Sequence, residues 1–405
     1  MSTLLIGIVG KPSSGKSTFL NAACLTSSKV GDYPFTTIEP VPGTGYVRIP
    51  CVCQELGVKD NPQNSICKDG IRLVPVQLLD VAGLVPDAWN GRGLGNKLLD
   101  DLRRADVLIH VIDFSGSLDA DGNNVEKGSY DPEKDVEFLE FEIVKWFEQI
   151  LKKDWTRISR TSEAEKISID KLLAEKLAGL KITQNQIKKA LTKAGVNMAN
   201  PTRWSGEELL NFLSILRQIS KPMIFAANKI DLEGSEENFS RLKEKLGDDL
   251  IPSSALAEYF LRKYAEKEII SYTPGDSDFT ILQPDKLSEK DKATLEKLRI
   301  NILHKFGSTG VQALINRAMF DIMNVISVYP VEDQTKFTDH KGNVLPDVYL
   351  IPKGTKAKEF AGMIHQDLAK SFINAILVKT QRRIGEEYEL QDGDVIKINA
   401  AEGYK

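Results

Sequence analysis

The apolar run Leu4-Leu5-Ile6-Gly7-Ile8-Val9 passes directly into Gly10-x-x-x-x-Gly15-Lys16-Ser17 and then into the helical pattern Thr18-Phe19-Leu20-Asn21-Ala22-Ala23. Strand, glycine loop and helix in that order make a phosphate-binding turn, because glycines let backbone N–H groups close on an oxyanion at a helix N-terminus. The candidate segment is Gly10, Pro12, Ser13, Ser14, Gly15, Lys16, Ser17 and Thr18. Lys16 would reach the β- and γ-phosphates of a nucleotide and assist catalysis, and Ser17 would place a hydroxyl on Mg2+.

Three more segments extend this reading. Asp80-Val81-Ala82-Gly83 closes the apolar stretch Val74–Val81. Its carboxylate suits Mg2+ through water, and the Gly83 N–H suits the γ-phosphate. Asn228-Lys229-Ile230-Asp231 closes the stretch Pro222–Asn228. Asp231 can accept hydrogen bonds from the N1–H and N2 amine of guanine, Asn228 can serve the N7/O6 edge, and the Lys229 stem can cover the ring. Adenine lacks the N2 amine. Ser253, Ser254 and Ala255 follow Leu250-Ile251-Pro252, where a backbone N–H would meet guanine O6. Each segment alone is weak. In this order they match an open parallel sheet, which binds ligands outside the carboxyl ends of its strands.

The remaining chain sets the organisation. Its 405 residues fit two or three domains at roughly 150 residues each. Strand runs, including Val107–Phe114, alternate with amphipathic stretches such as Leu98–Ala105 and Leu209–Ile219, which predicts an α/β, doubly wound and mostly parallel sheet. From Asp131 to about Pro201 the pattern turns Lys- and Leu-rich and helical, with helices expected at Asp135–Lys152 and Ile167–Ala178. A coiled-coil-like helical insertion, 131–201, is therefore expected within a domain of residues 1–130 and 202–324. From Val325 a small α+β unit, 325–405, is expected, with a helix over Ala357–Leu368.

Net charge is −4, which excludes binding of nucleic acid or membrane by bulk basicity. Residues 141–200 carry a net +5, leaving −9 elsewhere, so any RNA contact is local. Lys152, Lys153, Lys188 and Lys189 in the insertion, with Lys379, Arg382 and Arg383 near the C-terminus, are the candidates; the bland reading is a solvated helical face. Four cysteines and an N-terminus that soon turns polar fit neither a disulfide framework nor a signal peptide, so a cytoplasmic location is expected. No run approaches the ~18 apolar residues of a membrane span.

Together with Tyr33-Pro34-Phe35-Thr36-Thr37-Ile38-Glu39-Pro40 and Gly91-Arg92-Gly93-Leu94-Gly95-Asn96-Lys97, these motifs resemble the Obg-like P-loop GTPases, within them the YchF-type branch. Ile351-Pro352-x-Gly354, Ala361-Gly362-x-Ile364-His365-x-Asp367 and Gln391-Asp392-Gly393-Asp394 look like that family's TGS domain, a ubiquitin-like β-grasp module. The resemblance implies a Mg2+-dependent GTP hydrolase, acting as a switch associated with the ribosome or rRNA. It makes Thr36 or Thr37, with Thr37 preferred, the switch threonine for Mg2+ and γ-phosphate, and sets Lys16, Thr37 and Gly83 as catalytic and Ser17, Thr37 and Asp80 as metal-binding. The YchF branch often carries a changed base motif associated with ATP. This chain keeps Asn228, Lys229 and Asp231, favouring GTP, with an ATP-preferring hydrolase or an RNA-binding adaptor with structural nucleotide as alternatives. Leu84 stands where many small GTPases carry a catalytic Gln, so slow intrinsic turnover is expected. Ser13 replaces a common family Asn, which puts potassium stimulation in doubt.

Several residues invite functional readings with plainer alternatives. Cys51, Cys53 and Cys67 offer three thiolates to zinc, but a structural site usually takes four ligands and no His lies near them in sequence. His110 reads as a core or sheet-edge histidine, His365 as structural, and Trp146 and Trp155 as core anchors.

Overall fold

The computed structural model describes residues 4–24, 43–81 and 101–401. Thr36, Thr37, Gly83, Leu84 and the segments Tyr33–Pro40 and Gly91–Lys97 lie outside them. The chain forms two compact units, one of Leu4–Ala23 with Gln77–Leu314, the other of Met1–Thr3, Cys24–Val76 and Ile315–Lys405. This grouping cuts across the linear order.

In the first unit, strands β1 (Leu5–Val9), the end of β4 (Ile71–Asp80), β5 (Val107–Asp113), β6 (Met223–Asn228) and β7 (Leu250–Pro252) form a parallel sheet in the order β4-β1-β5-β6-β7. β1, β5 and β6 are buried along their whole length, as parallel strands covered on both faces must be, which explains their unbroken apolar runs. The register pairs Ile8 with Asp80, Val9 with His110, Asp113 with Asn228 and Ala227 with Pro252. The carboxyl ends of all five strands therefore come level at one edge.

α1 (Lys16–Cys24) follows β1 and buries Phe19, Leu20, Ala22 and Ala23. The helical region contains α3 (Glu133–Lys152), α4 (Trp155–Glu165), α5 (Ile169–Leu177) and α6 (Gln184–Ala194), before α7 (Gly206–Ser220) returns to the sheet. α3 starts two residues before its expected Asp135, because Asp131 Oδ1 accepts from the Glu133 N–H at 2.9 Å and satisfies an amide of its first turn. α6 and α7 begin in capping boxes, Thr183/Gln186 and Ser205/Glu208. Trp146 packs on Phe147, and Trp155 on Trp204 with ring centroids 5.2 Å apart; both tryptophans anchor the helical packing. His110 lies in the middle of the sheet, and burial pushes its pKa down to about 3, which keeps the imidazole neutral.

The second unit contains a five-stranded mixed sheet in the order β11-β10-β14-β12-β13. Its strands are β10 (Val325–Pro330), β11 (Tyr349–Pro352), β12 (Phe372–Leu377), β13 (Arg382–Ile384) and β14 (Asp394–Ala400). Central β10 and β14 are parallel and the outer pairs antiparallel, with α12 (Ala357–Ile364) packed against the sheet through Phe360. This is the β-grasp arrangement. The single helix expected over Ala357–Leu368 is two: His365 adopts extended backbone, φ −156°, and its Nδ1 accepts from the Asp367 N–H at 3.3 Å, starting α13 (Gln366–Lys370). His365 is thus a cap. The same unit holds β2 (Gly43–Pro50), α2 (Val52–Leu56), β3 (Ile66–Lys68) and the beginning of β4. β3 and β4 form a tight hairpin whose turn residues, Asp69 and Gly70, both have positive φ, at 51° and 79°. Among the described residues no helix is long and apolar enough to cross a membrane.

Candidate functional site

At the level edge of the parallel sheet, Gly10 leaves β1 and the loop turns through Ser13, whose φ is 63°, into α1. Ser13 and Ser17 are exposed, Pro12, Gly15, Lys16 and Thr18 half-buried, and Ser14 wholly buried. A Cβ on Gly10 would collide with the Val111 carbonyl, so the close approach of loop to β5 demands glycine. Lys16 Nζ donates to the Lys11 carbonyl at 3.0 Å and so lies back over its own loop. Burial lowers the Lys16 pKa, and the charge of Asp80 opposes that shift. Asp80 is near enough to Lys16 for its charge to be felt, and Ser17 follows Lys16 directly; both carry hard oxygen donors, the chemistry Mg2+ takes.

Lys11, which the motif leaves unspecified, is the loop's main anchor. It is buried, with Nζ 2.8 Å from Asp135 Oδ2 on α3 and 2.9 Å from the Leu118 carbonyl, and it sits over the Tyr130 ring. Burial raises the Asp135 pKa and the Lys11 charge works against the rise. No local pattern marked this pair, because its members are far apart in sequence.

The base motif is equally committed to the protein. Asn228 is buried; its Nδ2 donates to the Ser14 carbonyl at 2.9 Å and its Oδ1 accepts from the Ala255 N–H at 3.1 Å. The Asn228 amide, which the sequence suits to the base, and the Ala255 N–H here join the phosphate loop to the loop after β7. A Cβ on Gly15 would strike that same amide. Lys229, in left-handed backbone with φ 62°, holds Asp113 Oδ2 at 3.0 Å, and Asp113 also accepts from the Ser115 and Ser117 hydroxyls. Burial would raise the Asp113 pKa, but these hydrogen bonds and the Lys229 charge outweigh it and hold the carboxyl below its ordinary range. Asp231 is exposed, one residue beyond Ile230, whose N–H donates to the Ser253 carbonyl at 3.2 Å. The Ser253 N–H bonds the Ala227 carbonyl, the Ser254 N–H bonds the Thr309 carbonyl, and Ser254 Oγ caps the helix α9 (Ala255–Glu266). The hydroxyls of Ser14 and Ser253 are buried without a hydrogen-bond partner among the described residues.

Beneath this edge, buried Glu258 accepts from Tyr272 at 2.6 Å and from Thr309 at 2.5 Å, and Arg262 donates to the Ala22 carbonyl of α1. No local pattern marks Glu258 or Thr309.

A family model described as 50S ribosome-binding GTPase matches residues 5–151, one for the G4 motif-containing domain of an Obg-like GTPase matches 226–333, and the TGS domain model matches 336–400. A GTP-binding protein of Methanocaldococcus jannaschii is 47% identical over 98% of this chain and 99% of its own. The chain belongs to the Obg-like GTPase family. A family crystal structure, a GTP-binding protein from Pyrococcus horikoshii, superposes with a TM-score of 0.76 at 38% identity, covering 98% of this chain and all of that one. The Bacillus subtilis relative named ribosome-binding ATPase YchF is 27% identical over 97% of this chain and 98% of its own.

Proposed function

We propose that this protein binds GTP and hydrolyses it to GDP and phosphate, as a slow switch that associates with ribosomal particles. The observation that carries guanine rather than adenine is the intact Asn228-Lys229-Ile230-Asp231 run, with Asp231 exposed while Asn228 joins the loop after β7 to the phosphate loop. Lys16 neutralises the β- and γ-phosphates, the P-loop amides orient them, and Asp231 selects the base. Ser17, Asp80 and Thr37 would hold Mg2+, which supplies charge neutralisation between the phosphates when bound. The Gly83 N–H would meet the γ-phosphate.

In this reading residues 131–201 are an insertion into a G domain of 1–130 and 202–324, followed by a TGS-like module, 325–405. Ribosome association is supported by the relatives' printed names and by the exposure of Lys152, Lys153, Lys188, Lys189, Lys379, Arg382 and Arg383. Two of these cations already have carboxylate neighbours, Lys152 with Glu148 and Lys379 with Glu55.

The test is calorimetric titration with GTP, GDP, ATP and ADP, followed by turnover with and without ribosomes. GTP and GDP should bind more tightly than the adenine nucleotides, and Asp231→Asn should cost guanine affinity about 1–3 kcal/mol by leaving the N1–H and N2 amine poorly matched. Equal affinity for ATP and GTP in the unmutated protein overturns the guanine assignment.

A further inference from the structure

The second unit holds a side-chain cluster unrelated to the nucleotide edge. Cys51 follows β2 at the residue just before α2, Cys53 lies in α2, Asp60 lies in the following loop and Cys67 lies on β3. One ligand atom from each of the four falls within 4.8 Å of all the others. Cys53 Sγ is 3.9 Å from Cys67 Sγ, and Cys51 Sγ is 3.1 Å from Asp60 Oδ2. We propose that Cys51, Cys53, Asp60 and Cys67 form a structural zinc site.

Three features of the local fold bring the donors together. The Cys51 N–H donates to the Gly70 carbonyl at 2.7 Å, fixing the start of α2 on the β3–β4 turn. The Val58 N–H donates to the Cys53 carbonyl at 3.0 Å and turns the chain back, so that Asp60 returns to the cluster. The Asp69–Gly70 turn sets Cys67 directly across the hairpin from Arg72.

The donor chemistry suits a borderline-soft divalent ion. Tetrahedral zinc with Zn–S bonds of about 2.3 Å spaces its sulfur ligands roughly 3.8 Å apart. The 3.9 Å between Cys53 and Cys67 meets that spacing. Three thiolates disfavour Mg2+ and Ca2+, which take oxygen ligands. Four anionic ligands around a divalent cation leave excess negative charge, and the neighbourhood supplies an offsetting cation. Arg72 is completely buried, donates from Nη1 to Asp60 Oδ2 at 2.6 Å, and places the same nitrogen 4.0 Å from Cys51 Sγ. Its other terminal nitrogen donates to the Leu345 carbonyl, and its guanidinium lies 5.7 Å from the Tyr329 ring centroid. Arg72 therefore orients the carboxylate ligand from outside the donor set, the role outer partners take at zinc sites. A cavity of about 380 Å3 lined by Cys53, Lys59, Asp60 and Cys67 gives the ion an entry path.

The site would lock β2, α2 and the β3–β4 hairpin together as one stapled corner. Asp60 supplies the fourth ligand that cysteine spacing alone does not reveal.

The experiment uses the full chain, purified under reducing conditions without added chelator. Elemental analysis should find about one zinc per chain, and Cys53→Ser and Cys67→Ser should each reduce it to about a tenth or less, whereas Cys24→Ser retains it. Asp60→Asn should weaken zinc affinity by about tenfold or more. Circular dichroism of each variant establishes that it is folded. Where a cysteine variant does not fold, reduced metal-free wild-type protein titrated with Co2+ decides: visible bands of a tetrahedral ion with a thiolate-to-cobalt charge-transfer band support the site. Absence of zinc together with absence of those bands overturns it. So does a Cys53–Cys67 disulfide that, once reduced, takes up neither metal.

Discussion

The nucleotide edge and the cysteine corner handle buried polar groups in opposite ways. At the nucleotide edge unlike groups meet: Lys11 with Asp135, Lys229 with Asp113, the Asn228 amide with a carbonyl on one side and an N–H on the other. At the corner like groups crowd: three sulfurs and a carboxylate oxygen, with Arg72 as the cation beside them. Complementary pairs hold a loop in shape before any ligand arrives. A cluster of potential anions is favourable only with a cation to share, because burying like charges side by side is costly.

The largest expected effect breaks the first half of that contrast. Lys11→Met leaves the Asp135 carboxylate buried without its cation and should destabilise the protein by about 3–5 kcal/mol in denaturant melts. A loss within ~0.5 kcal/mol would show that the pair is incidental to the loop. Asn228→Ala comes next: it strands the Ser14 carbonyl and the Ala255 N–H, at about 2–4 kcal/mol for two buried groups. Because it joins two loops, it should weaken GDP and inorganic pyrophosphate binding together, measurable by calorimetry. Loss confined to GDP would confine Asn228 to the base.

The smallest effect is acid sensitivity. Asp113 has its carboxyl held below the ordinary range, so its pairing contributes fully above the unfolded value of about 4 and is lost as pH falls through the depressed folded value. Asp113→Asn should flatten the stability profile in that acid window and leave the neutral-pH slope unchanged. A steeper acid slope in the variant would contradict the pairing.

What could be read from sequence divides along the same contrast. Gly10, Gly15, Lys16, Asn228 and Asp231 sit in short contiguous motifs because one turn of backbone must place them, and the apolar runs of β1, β5 and β6 announce a parallel sheet. Lys11, Glu258 and Thr309 were not legible, since their partners Asp135, Tyr272 and one another become neighbours only after folding. Asp60 was missed for the same reason: a carboxylate between cysteines looks like any surface Asp until the chain turns back at Val58. The His365 break was hidden because helical periodicity continues across it, while a side-chain cap on the Asp367 amide restarts the backbone.

The packing of Gly15 against Asn228 also bears on how this protein can change over generations. Any larger residue at 15 meets the amide at 228, and any smaller residue at 228 abandons two backbone groups while making room at 15. The two positions, more than two hundred residues apart, therefore form one heritable unit: a drifting lineage would have to pass through a damaged intermediate to alter either. Gly15 also has φ 103°, a backbone conformation that side chains rarely adopt, so libraries randomised at position 15 should return glycine even where the codon for 228 is opened as well.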